Sequence, residues 1–131
     1  MTKKVLVLVA NGSEELETVS IIDTLRRASA HVTLAKIKSG EENDNILEIV
    51  AAKGVKIVAD DFFSNLKNKE YDLIVLPGGL KGAKHFANSK ELIQKLKEQK
   101  SSGKYYAAIC ASPAYVFTPN GLFDGIKSGT W

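Results

Sequence analysis

The sequence predicts an α/β fold with a doubly wound, mostly parallel sheet and helices on both of its faces. Three short runs rich in β-branched and other apolar residues, at 4–10, 31–37 and 72–76, are typical of strands buried in a parallel sheet. A fourth run of strand length, 105–109, leads into the chain's single cysteine, Cys110. Segments with helical periodicity separate these runs. Strands that alternate with helices favour a parallel sheet with right-handed crossovers.

Length and composition indicate one ordinary globular domain. The chain has 131 residues, of which 44% are hydrophobic and 25% charged, which is typical of a domain with its own core. The net charge is +3, but no basic run is interleaved with aromatic residues, so nucleic-acid binding is not indicated. No apolar run is long enough to cross a membrane. A single cysteine cannot form an internal disulfide and no secretory pattern opens the chain, so we expect a cytoplasmic protein.

The remaining elements follow from periodicity and turn residues. They are a helix over 13–27, a polar loop over 39–45, a ribbon of strands at 46–50 and 55–58, a short helix over 62–66, a helix over 88–103, and a helix between Cys110 and the breaker 119–121. Ser13 is the expected cap of the first helix. Asn88 or Ser89 is the expected cap of the later one, with Glu91 placed to complete a capping box on Asn88.

Three loops follow strands at the carboxyl edge of the predicted sheet, where doubly wound folds bind their ligands. They are residues 10–17, 76–82 and 109–113. The acidic cluster, the Gly78-Gly79 pair and Cys110 should therefore lie close together. Two glycines after a strand allow backbone N–H groups to approach a bound atom, although a plain tight turn explains them equally well.

Cys110 stands where an apolar strand meets a turn of small residues and then an apolar segment. Strand, sharp turn and helix in this order resemble a nucleophile elbow, which exposes one side chain above the end of the sheet. The N-terminus of a following helix would favour the thiolate over the thiol. The alternative is an inert cysteine in the core, since free cysteine is among the most buried residue types.

Nucleotide and metal sites are not indicated. Residues 11–13 lack the three-glycine dinucleotide fingerprint, and residues 82–84 lack the Walker A glycine-lysine pair. One cysteine and two histidines, His31 and His85, show no ligand spacing, so we expect neither a metal nor a cofactor. Both histidines are interpreted as surface residues.

Four motifs occur in a consistent order along the chain: Asn11-Gly12-Ser13-Glu14-Glu15-Leu16-Glu17-Thr18, Asp23-Thr24-Leu25-Arg26-Arg27-Ala28, Leu76-Pro77-Gly78-Gly79 and Ala107-Ala108-Ile109-Cys110-Ala111-Ser112-Pro113. Together they resemble the DJ/ThiJ/PfpI superfamily, and within it the clade of the human parkinsonism-associated protein deglycase. The resemblance covers residues 3–131 and places all of 1–131 in one domain. It implies a flavodoxin-like sandwich, a homodimer and a reactive cysteine at the elbow.

The resemblance also implies roles for five residues. Cys110 falls on the family's nucleophile, and Glu17 on the carboxyl that hydrogen-bonds it. The backbone N–H groups of Gly78, Gly79 and Ala111 fall where the family binds an oxyanion or an oxidised sulfur. A carboxyl held beside a thiolate should be protonated, because two adjacent anions are not both favoured, and it could then relay a proton.

Two features depart from the family pattern. Lys53 occupies a region where close relatives carry arginine, so a bidentate contact would be lost. The family's histidine near the cysteine belongs just beyond Trp131, and we therefore expect the domain to be incomplete in this chain. A following segment or a separate C-terminal fragment would supply that histidine. The 131-residue chain alone is expected to be poorly soluble or molten, because its unpaired edges and apolar surface would be open, and to be inactive on dicarbonyls.

The implied function is a cofactor-independent glyoxalase or deglycase, a lyase or hydrolase that acts on methylglyoxal, glyoxal or glycated protein. Cys110 would add to the aldehyde, with backbone N–H groups holding the oxyanion and Glu17 relaying the proton. The alternative is an oxidative-stress sensor or redox-regulated chaperone, which works through oxidation of Cys110 and needs no histidine. A cysteine protease of the PfpI branch is disfavoured, because Ala111 stands where that branch carries histidine.

Overall fold

The structure, a computed structural model, describes residues 2–125. Its strands are β1 (Lys4–Val9), β2 (His31–Lys36), β3 (Glu48–Val50), β4 (Lys56–Val58), β5 (Asp61–Phe62), β6 (Leu73–Leu76) and β7 (Tyr105–Ala108). Five of them form a parallel sheet in the order β5-β2-β1-β6-β7, and β3 and β4 form a separate antiparallel ribbon. The order turns back between β1 and β6, so the predicted doubly wound α/β sheet is confirmed.

Helices cover both faces of this sheet. They are α1 (Glu15–Arg27), α2 (Phe63–Leu66), α3 (Leu80–Ala87) and α4 (Lys90–Ser101). Strand β1 shows how the two faces are filled, because its side chains alternate between two separate cores. Leu6 and Leu8 pack with residues of α2, α3 and α4. Val5, Val7 and Val9 pack with α1 and the ribbon. A strand buried on both faces is what the continuous apolar run predicted.

Helix α1 differs from the prediction at its cap and along its apolar stripe. The side chain of Glu14 accepts from the N–H of Leu16 and caps the helix, whereas the hydroxyl of Ser13 accepts from the N–H of Ala10 and closes the turn after β1. Ser13 is therefore a turn residue, and its assignment as the cap was wrong. Leu16 and Val19 are 73% and 53% exposed, so the first half of the stripe faces away from this core.

The capping box predicted for α4 does not form. Ser89 caps the helix, with its hydroxyl accepting from the N–H of Leu92 at 3.3 Å. Glu91 instead forms an ion pair with Lys67 at 2.9 Å. Helix α4 thus begins one residue later than a cap at Asn88 requires. Glu91 pairs with Lys67, the residue that follows α2.

The segment after Cys110 is not the regular helix that the sequence predicted. Pro113–Phe117 forms one π-helical turn, closed by the N–H of Thr118 on the carbonyl of Pro113, and Thr118–Asn120 is a 3₁₀ turn. Pro119 provides no N–H to continue the helical hydrogen bonds, and the left-handed Gly121 ends the 3₁₀ turn. The expected continuation beyond Trp131 lies outside the described residues. Within residues 2–125, no helix is long and apolar enough to span a membrane.

Candidate active site

Cys110 lies at the carboxyl edge of the sheet, immediately after the strand end that Ile109 extends. The N–H of Ile109 donates to the carbonyl of Leu76 at 3.1 Å, in register with the ladder between β6 and β7. Cys110 itself has φ 61°, a left-handed conformation that is strained for a residue with a side chain. Its thiol is exposed. The predicted sharp turn is thus present, and it holds the sulfur clear of the sheet.

A serine ties this turn to the glycine turn of the neighbouring strand. The hydroxyl of Ser112 is buried and donates to the carbonyl of Pro77 at 2.6 Å, while the N–H of Ser112 donates to the carbonyl of Ile109 at 3.3 Å. The backbones after β6 and β7 are therefore fixed against each other beside the thiol.

Gly78 is enclosed by the two side chains that the sequence singled out. A Cβ atom at this position would lie 2.5 Å from Cβ of Cys110 and 2.6 Å from Oε1 of Glu17. Both distances are below normal contact, so only glycine fits between them. The structure therefore brings Cys110, Glu17 and Gly78 together from three different segments of the chain.

Glu17 lies in the first turn of α1 and points toward the glycine turn. Its Oε1 accepts a hydrogen bond from the N–H of Gly78 at 2.9 Å. Within residues 2–125 no hydrogen bond joins Glu17 to Cys110, so the contact implied by the resemblance is replaced by one through Gly78. A carboxyl oxygen held this way has a fixed position next to the cysteine.

Of the three N–H groups expected to bind an oxyanion, the structure leaves two free. The N–H of Gly78 is already engaged by Glu17. Those of Gly79 and Ala111 donate to no protein group within the part of the chain that the structure describes. Gly79 has φ 90° and a Cβ there would lie 2.3 Å from the carbonyl oxygen of Gly12, so this turn also requires glycine. Gly79 and Ala111 can donate to a bound anion, and Gly78 supports Glu17 instead.

Two buried polar residues near this edge were missed from the sequence. Asn11 is 2% exposed, and its amide bonds to the loop that follows β2. Lys36 is 1% exposed, and its ammonium donates to the carbonyls of Asn43, Ile46 and Glu48. Burial lowers the pKa of Lys36 below its ordinary value, although the carboxylates of Asp44 and Glu48 oppose that shift. A lysine inside an otherwise apolar strand was the signal available for the second residue.

The histidines do not join this site. His31 is exposed at the start of β2. His85 lies on α3, where Nε2 is buried and has no hydrogen-bond partner within residues 2–125. It borders a cavity of about 340 Å³ whose lining includes Ser39 and Asn88 but neither Cys110 nor Glu17. The interpretation of His85 as a surface residue was therefore wrong for Nε2, which is buried. Among the described residues, no group of three or more His, Cys, Asp and Glu side chains could hold a metal ion.

An exposed cysteine on a strained turn, beside a carboxyl and a glycine turn at the edge of a doubly wound sheet, defines a class of proteins with a nucleophile-elbow site. Residues 3–131 match the DJ-1/PfpI family, and the chain belongs to that family. It is 51% identical over 127 residues to Protein DJ-1 homolog B of Arabidopsis thaliana, covering 97% of this chain and 28% of that protein. It is 33% identical over 108 residues to the glutathione-independent glyoxalase DJR-1.2 of Caenorhabditis elegans, covering 82% of this chain and 54% of that protein.

Solved structures agree with this assignment. The oxidised DJ-1 of Toxoplasma gondii superposes with a TM-score of 0.87 at 46% identity, covering 95% of this chain and 64% of that one. The chain thus spans less than two thirds of the length of the relatives described here. The family and the flavodoxin-like architecture are shown for the part that is present.

Proposed function

We propose that this chain carries the nucleophile and proton relay of a cofactor-independent glyoxalase or deglycase that acts on small dicarbonyls. The observation that carries the proposal is the enclosure of Gly78 by Cβ of Cys110 and Oε1 of Glu17. Because a thiol and a carboxyl lie against the same backbone unit, the enclosure supports a nucleophile and a proton-transferring group within one site. The name of the C. elegans relative as a glutathione-independent glyoxalase supports the reaction class for the family.

The chemistry begins with addition of the Cys110 thiolate to the aldehyde carbon of methylglyoxal, which forms a C–S bond and an alkoxide. The free N–H groups of Gly79 and Ala111 are the donors that can stabilise this oxyanion. Glu17, protonated beside the thiolate, first gives its proton to the alkoxide. Its carboxylate then takes the proton from the sulfur-bearing carbon and returns it to the neighbouring ketone carbon, through an enediol in which the hydroxyl proton passes to the ketone oxygen. The first carbon becomes a thioester and the second an alcohol. Water cleaves the thioester, which releases lactate and regenerates the thiol, so oxidation and reduction balance within the substrate.

The test is turnover of methylglyoxal to lactate by the wild-type protein with the further segment proposed below present, and by three variants of it. Cys110→Ser should abolish turnover, since the weaker nucleophile cannot form the thioester. Glu17→Gln keeps an acceptor for the N–H of Gly78 but cannot carry a proton, so turnover should fall by about a hundredfold or more. Lys97→Gln, an exposed change on α4, should have no effect. Lactate formed at the same rate by wild type and Glu17→Gln would exclude Glu17 as the relay.

A second candidate function is sensing of oxidants through Cys110. Its support is the exposed thiol beside two free backbone N–H groups and a carboxyl, which could stabilise a sulfenate or sulfinate. This chemistry needs peroxide as the oxidant and no histidine.

Peroxide titration with mass spectrometry tests the sensor function. Stepwise addition of oxygen at Cys110, with a sulfinate that persists, is the expected result. Glu17→Leu removes the neighbouring carboxyl and should allow oxidation to proceed to sulfonate. Loss of the sulfinate step in wild type as well would exclude a stabilising role for this site.

We also propose a homodimer in which α1 and the ribbon form the interface. The support is a surface of exposed apolar side chains, Leu16 and Val19 on α1 and Val55 and Val58 at the ribbon, which we call the α1–ribbon surface. Glu15 joins its two parts by accepting hydrogen bonds from the N–H groups of Lys53 and Val55. Although burial acts to raise it, these bonds hold the pKa of Glu15 below its ordinary value, so the connection is charged at neutral pH.

A further chain segment is proposed to cover the face beside β7 and to supply the family's histidine. The support is a cavity of about 920 Å³ on the α1 side of the sheet, lined by Leu25, Leu73, Tyr105 and Ala107 among others. Strand β7 is also an edge strand, hydrogen-bonded only to β6 within residues 2–125. Such a segment could belong to the same polypeptide or to a separate fragment.

A further inference from the structure

Asn11 connects the turn after β1 to a loop that is distant in sequence. Its side-chain oxygen accepts from the N–H of Val50 at 3.0 Å and from the amide of Asn43 at 2.9 Å. Its side-chain nitrogen lies within hydrogen-bond distance of Ser39, Asn43 and the carboxylate of Glu41, and shares its two hydrogens among these three acceptors. One buried amide therefore joins the turn after β1 to the loop after β2 and to β3, and it fixes the position of that loop relative to the turn.

Glu41 extends the connection to α3. Its carboxylate forms an ion pair with Lys81 at 2.5 Å, and the ammonium of Lys81 holds the pKa of Glu41 below its ordinary value. The stem of Lys81 lies against the backbone of Gly12, where a Cβ atom would be 2.5 Å from Cβ of the lysine. Asn11, Glu41 and Lys81 therefore clamp three segments together, and we call them the Asn11 clamp.

The clamp lies one contact away from the proposed active site. The N–H of Glu14 donates to the carbonyl of Gly78 at 3.0 Å, and Gly79 packs against the carbonyl of Gly12. Gly78 in turn donates to Glu17. The distance between the turn after β1 and the turn before α3 thus sets the alignment of Glu17 with Gly78, and the clamp holds both turns.

Lys36 makes the outer part of the clamp rigid. Its buried ammonium donates to two carbonyls of the loop, at 2.5 Å and 2.7 Å, and to the carbonyl of Glu48 at the start of β3, at 2.9 Å. These three charge-assisted bonds to the ammonium of Lys36 fix the position of the loop backbone relative to β2. Asn11 therefore binds a loop that Lys36 already holds in place. Because Asn11 belongs to the turn after β1, a displacement of the loop would also displace that turn.

We propose that Asn11 and Glu41 are positioning residues of the Cys110 site, which act by fixing the glycine turn against Glu17. Neither residue contacts the thiol, and both act through Gly12, Gly78 and Gly79. The inference rests on the proposed function for its link to turnover. Its geometric part, the alignment of Glu17 beside Cys110, is independent of the substrate.

The test compares Asn11→Ala with Gln99→Ala in the protein that includes the proposed further segment. Gln99 is also a buried amide, and it donates to the carbonyls of Tyr71 and Tyr105 near the amino ends of the strands. Both variants lose buried hydrogen bonds and should lose comparable stability. Only Asn11→Ala should lower kcat for methylglyoxal, by about tenfold or more with KM little changed, because a small misplacement of reacting groups lowers the rate strongly.

Alkylation of Cys110 by iodoacetamide across the pH range provides the readout that needs no turnover. Asn11→Ala should displace the pH profile of alkylation from that of wild type, whereas Gln99→Ala should leave it in place. Glu41→Gln retains one of the two oxygens that Asn11 and Lys81 use and should displace the profile less than Glu41→Ala, which removes both. Identical profiles for wild type, Asn11→Ala and Glu41→Ala would overturn the inference. A wild-type protein that includes the proposed further segment and still fails to consume methylglyoxal would instead refute the proposed function, and the alkylation profiles would still decide the inference.

Discussion

At the scale of single residues, Gly78 is the position where fold and site are most tightly coupled. An added methyl group would lie 2.5 Å from Cβ of Cys110 and 2.6 Å from Oε1 of Glu17. Gly78→Ala should therefore destabilise the fold by about 1–3 kcal/mol through overpacking and also abolish turnover, because the two groups are pushed apart.

A matched control for this substitution is Gly103→Ala. Gly103 has φ 69° and nothing within 4 Å of its added Cβ, and alanine there should be destabilising by about 1–2 kcal/mol through backbone strain alone. Urea unfolding and lactate formation separate the two effects. Turnover retained by Gly78→Ala at the level of Gly103→Ala would mean that the enclosure has no catalytic importance.

His85 makes stability depend on pH in a direction that can be stated. Burial lowers its pKa below the ordinary value of 6.5, Glu41 and Asp44 act in the opposite sense, and Lys81 adds to the lowering. Between the lowered value and 6.5, the unfolded chain binds more protons at this residue than the folded chain, so the free energy of unfolding falls as pH falls through this window. His85→Leu removes the titrating group and should therefore reduce the fall in the free energy of unfolding in this pH window.

The measurement is the free energy of unfolding between about pH 8 and about pH 5 for wild type, His85→Leu and His31→Gln. His31 is exposed and serves as the control. At high pH, His85→Leu should be neutral or slightly stabilising, because the buried Nε2 has no partner to lose among the described residues. An unchanged pH dependence in His85→Leu would show that the group titrates normally.

At the scale of elements, the proposed interface at the α1–ribbon surface predicts that a charge introduced on α1 disrupts the dimer. Val19 is 53% exposed, and a glutamate there would have to be buried in the proposed dimer interface without a partner. Val19→Glu should therefore convert the dimer to a monomer while leaving the monomer fold intact. Lys97→Gln changes the net charge by the same amount on the opposite side of the sheet and should leave the dimer unchanged. Light scattering over a range of concentrations distinguishes the outcomes, and a dimeric Val19→Glu would exclude this interface.

The elements also show where sequence patterns were sufficient. The alternation of strands and helices predicted the parallel sheet. The loops at the carboxyl ends of its strands were predicted to meet at one edge, which is where the structure has Glu17, Gly78, Gly79 and Cys110. Local competition was harder to predict. Ser13 is a good cap by type, yet its hydroxyl closes the turn after β1 and Glu14 caps α1. Pattern alone does not decide which of two neighbouring polar side chains reaches a given N–H group.

The Asn11 clamp could not be predicted for a different reason. Asn11 and Asn43 are 32 residues apart, and their contact depends on the path of a polar loop. The sequence showed only that this loop is rich in turn-forming residues. Lys36 was the exception that could have been noticed, since a lysine between buried residues of a strand must find acceptors.

At the scale of the whole molecule, strand β7 pairs only with β6 within residues 2–125, which predicts self-association of the chain when the proposed further segment is absent. Tyr105 in the edge strand β7 is 77% exposed, and edge strands without charge readily pair with other strands. Tyr105→Lys should therefore reduce association beyond the dimer. Ile46→Lys adds the same charge at a residue 52% exposed in the loop after β2 and should have little effect. Sedimentation at several concentrations tests this, and equal behaviour of the two variants would show that the edge is already protected.

The hydrogen bond between Gly78 and Glu17 has a consequence for folding kinetics. It spans 61 residues of sequence, and Cys110 joins the pair from a strand that lies further still along the chain. Contacts of such separation form late, because loop closure must be completed before they contribute. A nascent chain therefore carries a bare thiol without its neighbouring carboxyl until β1, β6 and β7 have paired. The proposed site is therefore complete only after these strands have paired.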